Sequence, residues 1–180
     1  MLNEWLVQRS LVYRFNSKWT ISNFSPFNWW ECDIYSINNN MFAKEIEIKL
    51  SVADFRQDFK KNRWERTNGW VFGNTPPKEL KHDLLAGRHG DCPNMFYYCM
   101  PVSIAEKVNI PEYAGLMTFN YSEPSKYSPR GNIGYIEIIK QAPKLHTIKV
   151  DPDIMRQLAV ASNRRYLKMK FYDTQVNMGI

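Results

Sequence analysis

Hydrophobic and polar residues alternate along Met41 to Leu50, so that Glu45, Glu47 and Lys49 fall on one side of an extended chain and Lys44, Ile46, Ile48 and Leu50 on the other. That period of two predicts a strand with one face to bury and one face for chemistry. Trp29 to Ile37 reads as its partner, joined to it by a turn at Asn38-Asn39-Asn40. If Ile37 pairs with Met41, Asp33 stands opposite Glu45 and Glu31 opposite Glu47, all on one face. A slip of one residue would scatter them, because side chains change face at every step. Ser51 then offers an N-cap ahead of Asp54, which predicts a helix over Val52 to Arg63.

The rest of the chain supplies a scaffold for that hairpin. Leu2 to Tyr13, with apolar positions at Leu2, Trp5, Leu6, Val12 and Tyr13, reads as an N-terminal helix. Met95 to Met100 is an aromatic, apolar run suited to a buried central strand closed by Pro101. Ser103 would cap a short helix over Ile104 to Val108, and Ala114 to Phe119 reads as another strand. Tyr121 to Asn132 carries the prolines, serines and glycine of a loop before the strand Ile133 to Lys140. Asp151-Pro152 opens a C-terminal helix, 151–166, with proline at its first position. Helix, hairpin, helix, strand, helix, strand is an α/β layout. At 180 residues, 44% of them hydrophobic, the chain fits one domain, 1–180.

The acids change the picture from scaffold to site. Like charges held a few ångströms apart repel, and a bound divalent cation or a shared proton relieves them. A carboxylate pair for a metal, with a lysine one strand residue beyond a ligand, suits phosphodiester hydrolysis: the metal polarises the phosphoryl oxygen and the ammonium orients water or stabilises charge. Taken alone, acid-x-Lys occurs by chance about once in such a chain, and a charged strand face is most often solvated. A net charge of +6 and a pI near 9.2 add an attraction for polyanions. Arg56, Lys60, Lys61 and Arg63 follow the acidic strand directly and are candidate phosphate contacts, with Lys81 and His82 beyond them. Between these, Trp64 and Trp70 interleave with Arg63 and Arg66, a composition that suits a nucleic-acid grip.

Other chemistry has less support. Three cysteines make no disulfide framework, and His89, Cys92 and Cys99 lack the fourth partner of a structural zinc site. The first residues have no long apolar run for a signal peptide, and no stretch approaches a membrane span, so a cytoplasmic location is expected, in a bacterial host if the chain is phage-encoded. No Gly-x-x-x-x-Gly-Lys loop for a nucleoside triphosphate is present.

Four segments together resemble a known family: Glu31-Cys32-Asp33, then Glu45-Ile46-Glu47-Ile48-Lys49-Leu50-Ser51, then Asp54-Phe55-Arg56-Gln57-Asp58, then Cys92-Pro93-Asn94-Met95-Phe96-Tyr97-Tyr98. Their order is similar to that of the PD-(D/E)xK nuclease superfamily, nearest to small bacterial and phage DNA-repair-type (MmcB-like) members. The likeness covers about Trp29 to Leu116. It implies a restriction-endonuclease-like core, a mixed central sheet flanked by helices, and a metal-dependent deoxyribonuclease. It also implies roles. Asp33 and Glu47, with the backbone carbonyl of Ile48, would hold Mg²⁺ or Mn²⁺, and Lys49 would position or activate the attacking water. Glu31 and Glu45 are second candidates, Glu45 sharing the face of Glu47. Cys32 stands where the family pattern has proline, and 64–81 looks like an insertion between the basic helix and the next core strand. The expected partner is DNA, and RNA would suit the same basic surface. Cutting both strands would call for two sites and so for a homodimer. The alternative is a nuclease-fold protein that binds DNA or a protein partner without catalysis.

Overall fold

The structure is a computed structural model that describes residues 2–15, 19–61 and 80–177. Arg63 and all of the expected insertion except Leu80 and Lys81 therefore lie outside the described residues. Six strands form one mixed sheet in chain order: β1 (Trp19–Phe24), β2 (Cys32–Ile37), β3 (Ala43–Ile48), β4 (Met95–Pro101), β5 (Ala114–Ser122) and β6 (Asn132–Lys140). The first three strands are an antiparallel meander, β4 runs parallel to β3 and β5 parallel to β4, and β6 returns antiparallel to β5. Helices α1 (Glu4–Arg14), α2 (Val52–Asp58), α3 (Lys81–Ala86), α4 (Val102–Ala105) and α5 (Pro152–Asn177) complete an α/β fold with helices flanking the sheet. None of the described helices is long and apolar enough to cross a membrane.

The sheet has two buried faces, and this decides the fate of β3. On one face Ile34, Ile46, Ile48, Tyr97 and Met117 pack with Val7 and Leu11 of α1. On the other, Tyr35, Ala43, Phe96, Tyr98 and Leu116 pack with Phe55 of α2, Leu85 of α3 and Leu158 of α5. Parallel strands need crossover connections that lay helices on the sheet, so the centre cannot keep a solvated face. The stretch Gln141 to Val150 has no regular structure and is tied back by Asn94. That residue donates its Nδ2 to the carbonyls of His146 and Ile148 at 3.1 and 2.8 Å while its Oδ1 accepts the Ala43 N–H at 2.7 Å.

Several elements differ from the sequence-based expectation. The β2–β3 connection is longer than an Asn38–Asn40 turn, because the Asn38 Oδ1 accepts the N–H groups of Asn40 and Phe42 at 2.9 and 3.0 Å and Met41 adopts φ 64°. Ile37 consequently pairs with Ala43 and Tyr35 with Glu45. The shift is by an even number, so the acids keep their face, and continuing the register places Asp33 across from Glu47. The strand Trp19–Phe24 at the sheet edge was not expected, nor was α3. Helix α2 does start at its Ser51 cap, whose Oγ accepts the Asp54 N–H at 3.0 Å, but it ends at Asp58 rather than Arg63. Helix α4 begins directly after Pro101, without a Ser103 cap. The C-terminal helix runs past residue 166 to Asn177, since no glycine or proline interrupts 153–177.

Candidate active site

Strand β3 carries Glu45 and Glu47 into the space beneath α3 and the turn that follows α2, with Lys49 just past the strand end. All three are buried, at 0%, 1% and 3% exposure. They are not a solvated face. The Nζ of Lys81 lies 2.5 Å from Glu45 Oε1 and 2.5 Å from Glu47 Oε1, bridging the two acids from the first turn of α3. The other Glu45 oxygen accepts the indole N–H of Trp29 at 2.6 Å. Glu47 Oε2 meets Lys49 Nζ at 3.1 Å and Lys61 Nζ at 2.9 Å. Both lysines also reach Asp58 Oδ1, at 2.8 and 2.7 Å.

Asp58 anchors the far side of this cluster. Its Oδ2 accepts the Tyr98 hydroxyl at 2.9 Å and lies 2.9 Å from His82 Nε2, whose Nδ1 is 2.8 Å from the Tyr113 hydroxyl. Three carboxylates and three ammonium groups thus interlock, each charge with at least two partners. That is the condition under which buried charge is tolerated. Burial by itself would raise the carboxyl of Glu47, but Lys81, Lys49 and Lys61 outweigh it and hold the group below the usual range. Asp58 is likewise depressed, burial notwithstanding, by the His82 hydrogen bond and the three lysines. Lys49 is pushed above its ordinary value: burial opposes this, but Glu47 and Asp58 prevail.

A cleft of about 470 Å³ opens onto this cluster, reaching Asp33, Glu47, Lys49, Asp58 and Lys61. Asp33 Oδ2 accepts the Ile48 N–H at 2.6 Å, which ties the end of β2 to β3 at the cleft. Burial and the neighbouring Glu47 charge push the Asp33 carboxyl up to about 7. Glu45 is also raised to about 7, mainly by burial, but it lies under Lys81 and away from the cleft wall.

The expected site residues thus separate. Asp33, Glu47, Ile48 and Lys49 come together at the cleft, with Lys60 and Lys61 on its wall. The register and the burial of Glu45 make Glu47 the acid that faces Asp33. Glu31 is exposed just before β2 and does not line the cleft. Arg56 is exposed on α2. Lys81 and His82, expected as phosphate contacts, are instead buried at 0% and 6% exposure, engaged by Glu45, Glu47 and Asp58. Burial removes them from the reach of a polyanion. Glu4 and Asp54 join the cleft wall, and Asp58 is the functional-site candidate that pattern reading left without a role. Its signal was present, since an acid on the same side of α2 as Phe55 must enter the core.

The donor set suits a hard divalent cation in part. Among the described residues no three His, Cys, Asp or Glu side chains form a metal-binding group. Mg²⁺, however, is commonly held by only one or two carboxylates and keeps several waters. Such an ion would offset what raises the Asp33 carboxyl, burial first and the Glu47 charge second. Room at Glu47 Oε2 requires one ammonium to leave, and Lys61, with its side chain 34% exposed, can swing into solvent.

The fold has a solved counterpart. The SPO1766 protein of unknown function from Silicibacter pomeroyi superposes with a TM-score of 0.58 at 16% identity, over 94% of this chain and 92% of that one. This likeness carries the fold and no activity. No protein-family model matches the chain. No curated protein sequence matches it either.

Proposed function

We propose that the protein is a metal-dependent phosphodiesterase of PD-(D/E)xK type that hydrolyses DNA. The observation that carries this reading is the convergence of Asp33, Glu47 and Lys49 on one cleft, with the Ile48 amide bonded to Asp33 at 2.6 Å. An antiparallel meander followed by a helix and a strand parallel to β3 agrees with the restriction-endonuclease-like core that the motifs suggested. Asp33, Glu47 and the Ile48 carbonyl would hold Mg²⁺ or Mn²⁺, which when bound polarises the phosphoryl oxygen and acidifies a water.

The residues of the chain do the remaining work. Lys49, held between Glu47 and Asp58 and kept an ammonium by both, is a donor and not a base. It stabilises the charge that develops on the phosphoryl oxygens and orients the attacking water. Asp58, fixed by Tyr98 and His82, positions Lys49 and so acts through it. Lys60 and Lys61 on the cleft wall supply positive charge for a phosphate backbone.

A second reading has one observation in its favour. Both oxygens of Glu47 are already paired with lysines, an internally neutralised arrangement that a non-catalytic DNA- or protein-binding factor could keep. Labelled linear, nicked, branched and single-stranded DNA, and RNA, incubated with Mg²⁺ or with chelator, separate the two. Cleavage that chelator abolishes supports the enzyme, and binding without cleavage of any substrate supports the factor. Lys49→Ala should lose about a hundredfold or more in hydrolysis while keeping substrate binding. A folded Lys49→Ala protein that cuts as fast as the parent refutes the assignment.

A further inference from the structure

A second groove lies between α1 and β6. It encloses about 530 Å³ and is lined by Arg9, Tyr13 and Arg14 from the helix and by Arg130, Asn132 and Tyr135 at β6 and the loop before it. Unlike the cleft at Asp33 and Glu47, its wall holds three arginines and no acidic residue. Among the described residues none of these arginines forms an ion pair. Two of the guanidinium groups rest over aromatic faces instead. Arg14 lies 4.7 Å from the Tyr135 ring centre and donates one N–H to the Tyr135 hydroxyl at 3.4 Å, leaving its other donors, and Arg9 lies 5.6 Å from Trp5 and 5.9 Å from Tyr13. A guanidinium so placed keeps in-plane N–H donors for a phosphate.

The aromatic rings here belong to no core. Tyr13 and Tyr135 are 74% and 71% exposed. Exposed rings among arginines without acidic partners suit a chain that offers negative charge and flat apolar faces in alternation. Single-stranded nucleic acid does this; a duplex hides its base faces within the stack. Helix α1 also borders the other cleft, because Glu4 in its first turn lines that wall. From Glu4 to Arg14 the helix rises about 15 Å at ~1.5 Å per residue. At ~3.4 Å per nucleotide that is about four nucleotides of stacked strand.

We propose that the α1–β6 groove binds single-stranded nucleic acid, its arginines holding phosphates and Tyr13 and Tyr135 stacking on unpaired bases. Resting on the nuclease reading of the cleft, this narrows the substrate to a nucleic acid with a single-stranded extension. The residues are on the surface, so their substitution leaves the core intact. Fluorescence anisotropy in chelator, with a labelled single-stranded DNA, the same sequence as RNA, a blunt duplex and a duplex with an overhang, tests binding without cleavage. For Arg9→Ala/Arg14→Ala/Arg130→Ala, the plot of log affinity against log salt for the single strand should flatten by about two, at ~0.7 for each phosphate no longer neutralised. Tyr13→Ala/Tyr135→Ala should weaken the single strand roughly tenfold or more with its salt slope unchanged, and the blunt duplex less than about twofold. The DNA and RNA arms tell which strand the groove prefers. Single-strand affinity within twofold of the parent in both variants, or equal losses for the single strand and the blunt duplex, overturns the proposal. Loss in these variants with no cleavage by the parent upholds the groove and removes the nuclease reading, whereas cleavage by the parent with unchanged single-strand binding in the variants does the reverse.

Discussion

Lys81→Met is the substitution whose cost the geometry defines best. The ammonium is fully buried and serves Glu45 and Glu47 together. Once it is removed, Glu47 still has Lys49 and Lys61, but Glu45 keeps only the Trp29 N–H. One stranded buried carboxylate results, and removing one partner of such a pair costs about 3–5 kcal/mol. The Glu45 carboxyl is raised from an ordinary 4.5 to about 7, mainly by burial, so it is mostly ionised at about pH 7.5 and mostly protonated at about pH 5.5, and the penalty should shrink on acidification. For a chain of this size about 4 kcal/mol corresponds to a fall in Tm of roughly 8–16 °C. Urea unfolding and calorimetry at both pH values, on the parent, on Lys81→Met and on Glu45→Gln/Lys81→Met, measure it. The double variant should recover at least half of the loss because it removes the stranded charge. A single-variant loss below about 1 kcal/mol at the higher pH, or a double variant no more stable than the single, refutes the ion-cluster account.

Asp33→Asn should stabilise the metal-free protein at neutral pH. The Asp33 carboxyl is raised to about 7, so its contribution is complete below its unfolded value near 3.8 and is lost as pH rises through about 7. The gain over the parent should be near zero at about pH 4 and reach about 1–2 kcal/mol at about pH 8, after discounting for solvent in the open cleft; a gain that does not vary with pH argues against it. Asp58→Asn should lower kcat more than KM for any scissile substrate, because it loosens the Lys49 ammonium that Asp58 holds at 2.8 Å, and an unchanged kcat would remove its positioning role. Ser51→Ala, which deletes the cap on the Asp54 N–H, should cost about 1 kcal/mol in chemical denaturation. A cost near zero would mean that the α2 cap adds nothing to stability.

What could be read ahead of the fold was local. The alternation at Glu45, Glu47 and Lys49, the Ser51 cap, the aromatic strand beginning at Met95 and the proline that opens α5 all rest on neighbours in sequence, and each is where the pattern placed it. The hairpin register differs by two residues from the one that the alternation suggests, since side-chain bonds from Asn38 lengthen the turn. Lys81, expected to contact phosphate, could not be recognised from sequence as the buried partner of Glu45 and Glu47. It lies 36 residues from Glu45 along the chain, and nothing in its own surroundings marks it as buried.

The sequence by itself determined which side chains share a face, because the period of a strand or a helix is a property of the backbone. Tertiary structure alone decided what that face meets. Crossover packing closed the acidic side of β3 beneath α3 and left only the Asp33 end open, so Glu45 became a buried ion-pair member while Glu47 and Lys49 stayed at the cleft. Burial turns like charges into a demand for partners, and those partners came from Lys61, Lys81 and the Asp58, His82 and Tyr98 network, which only packing brings together.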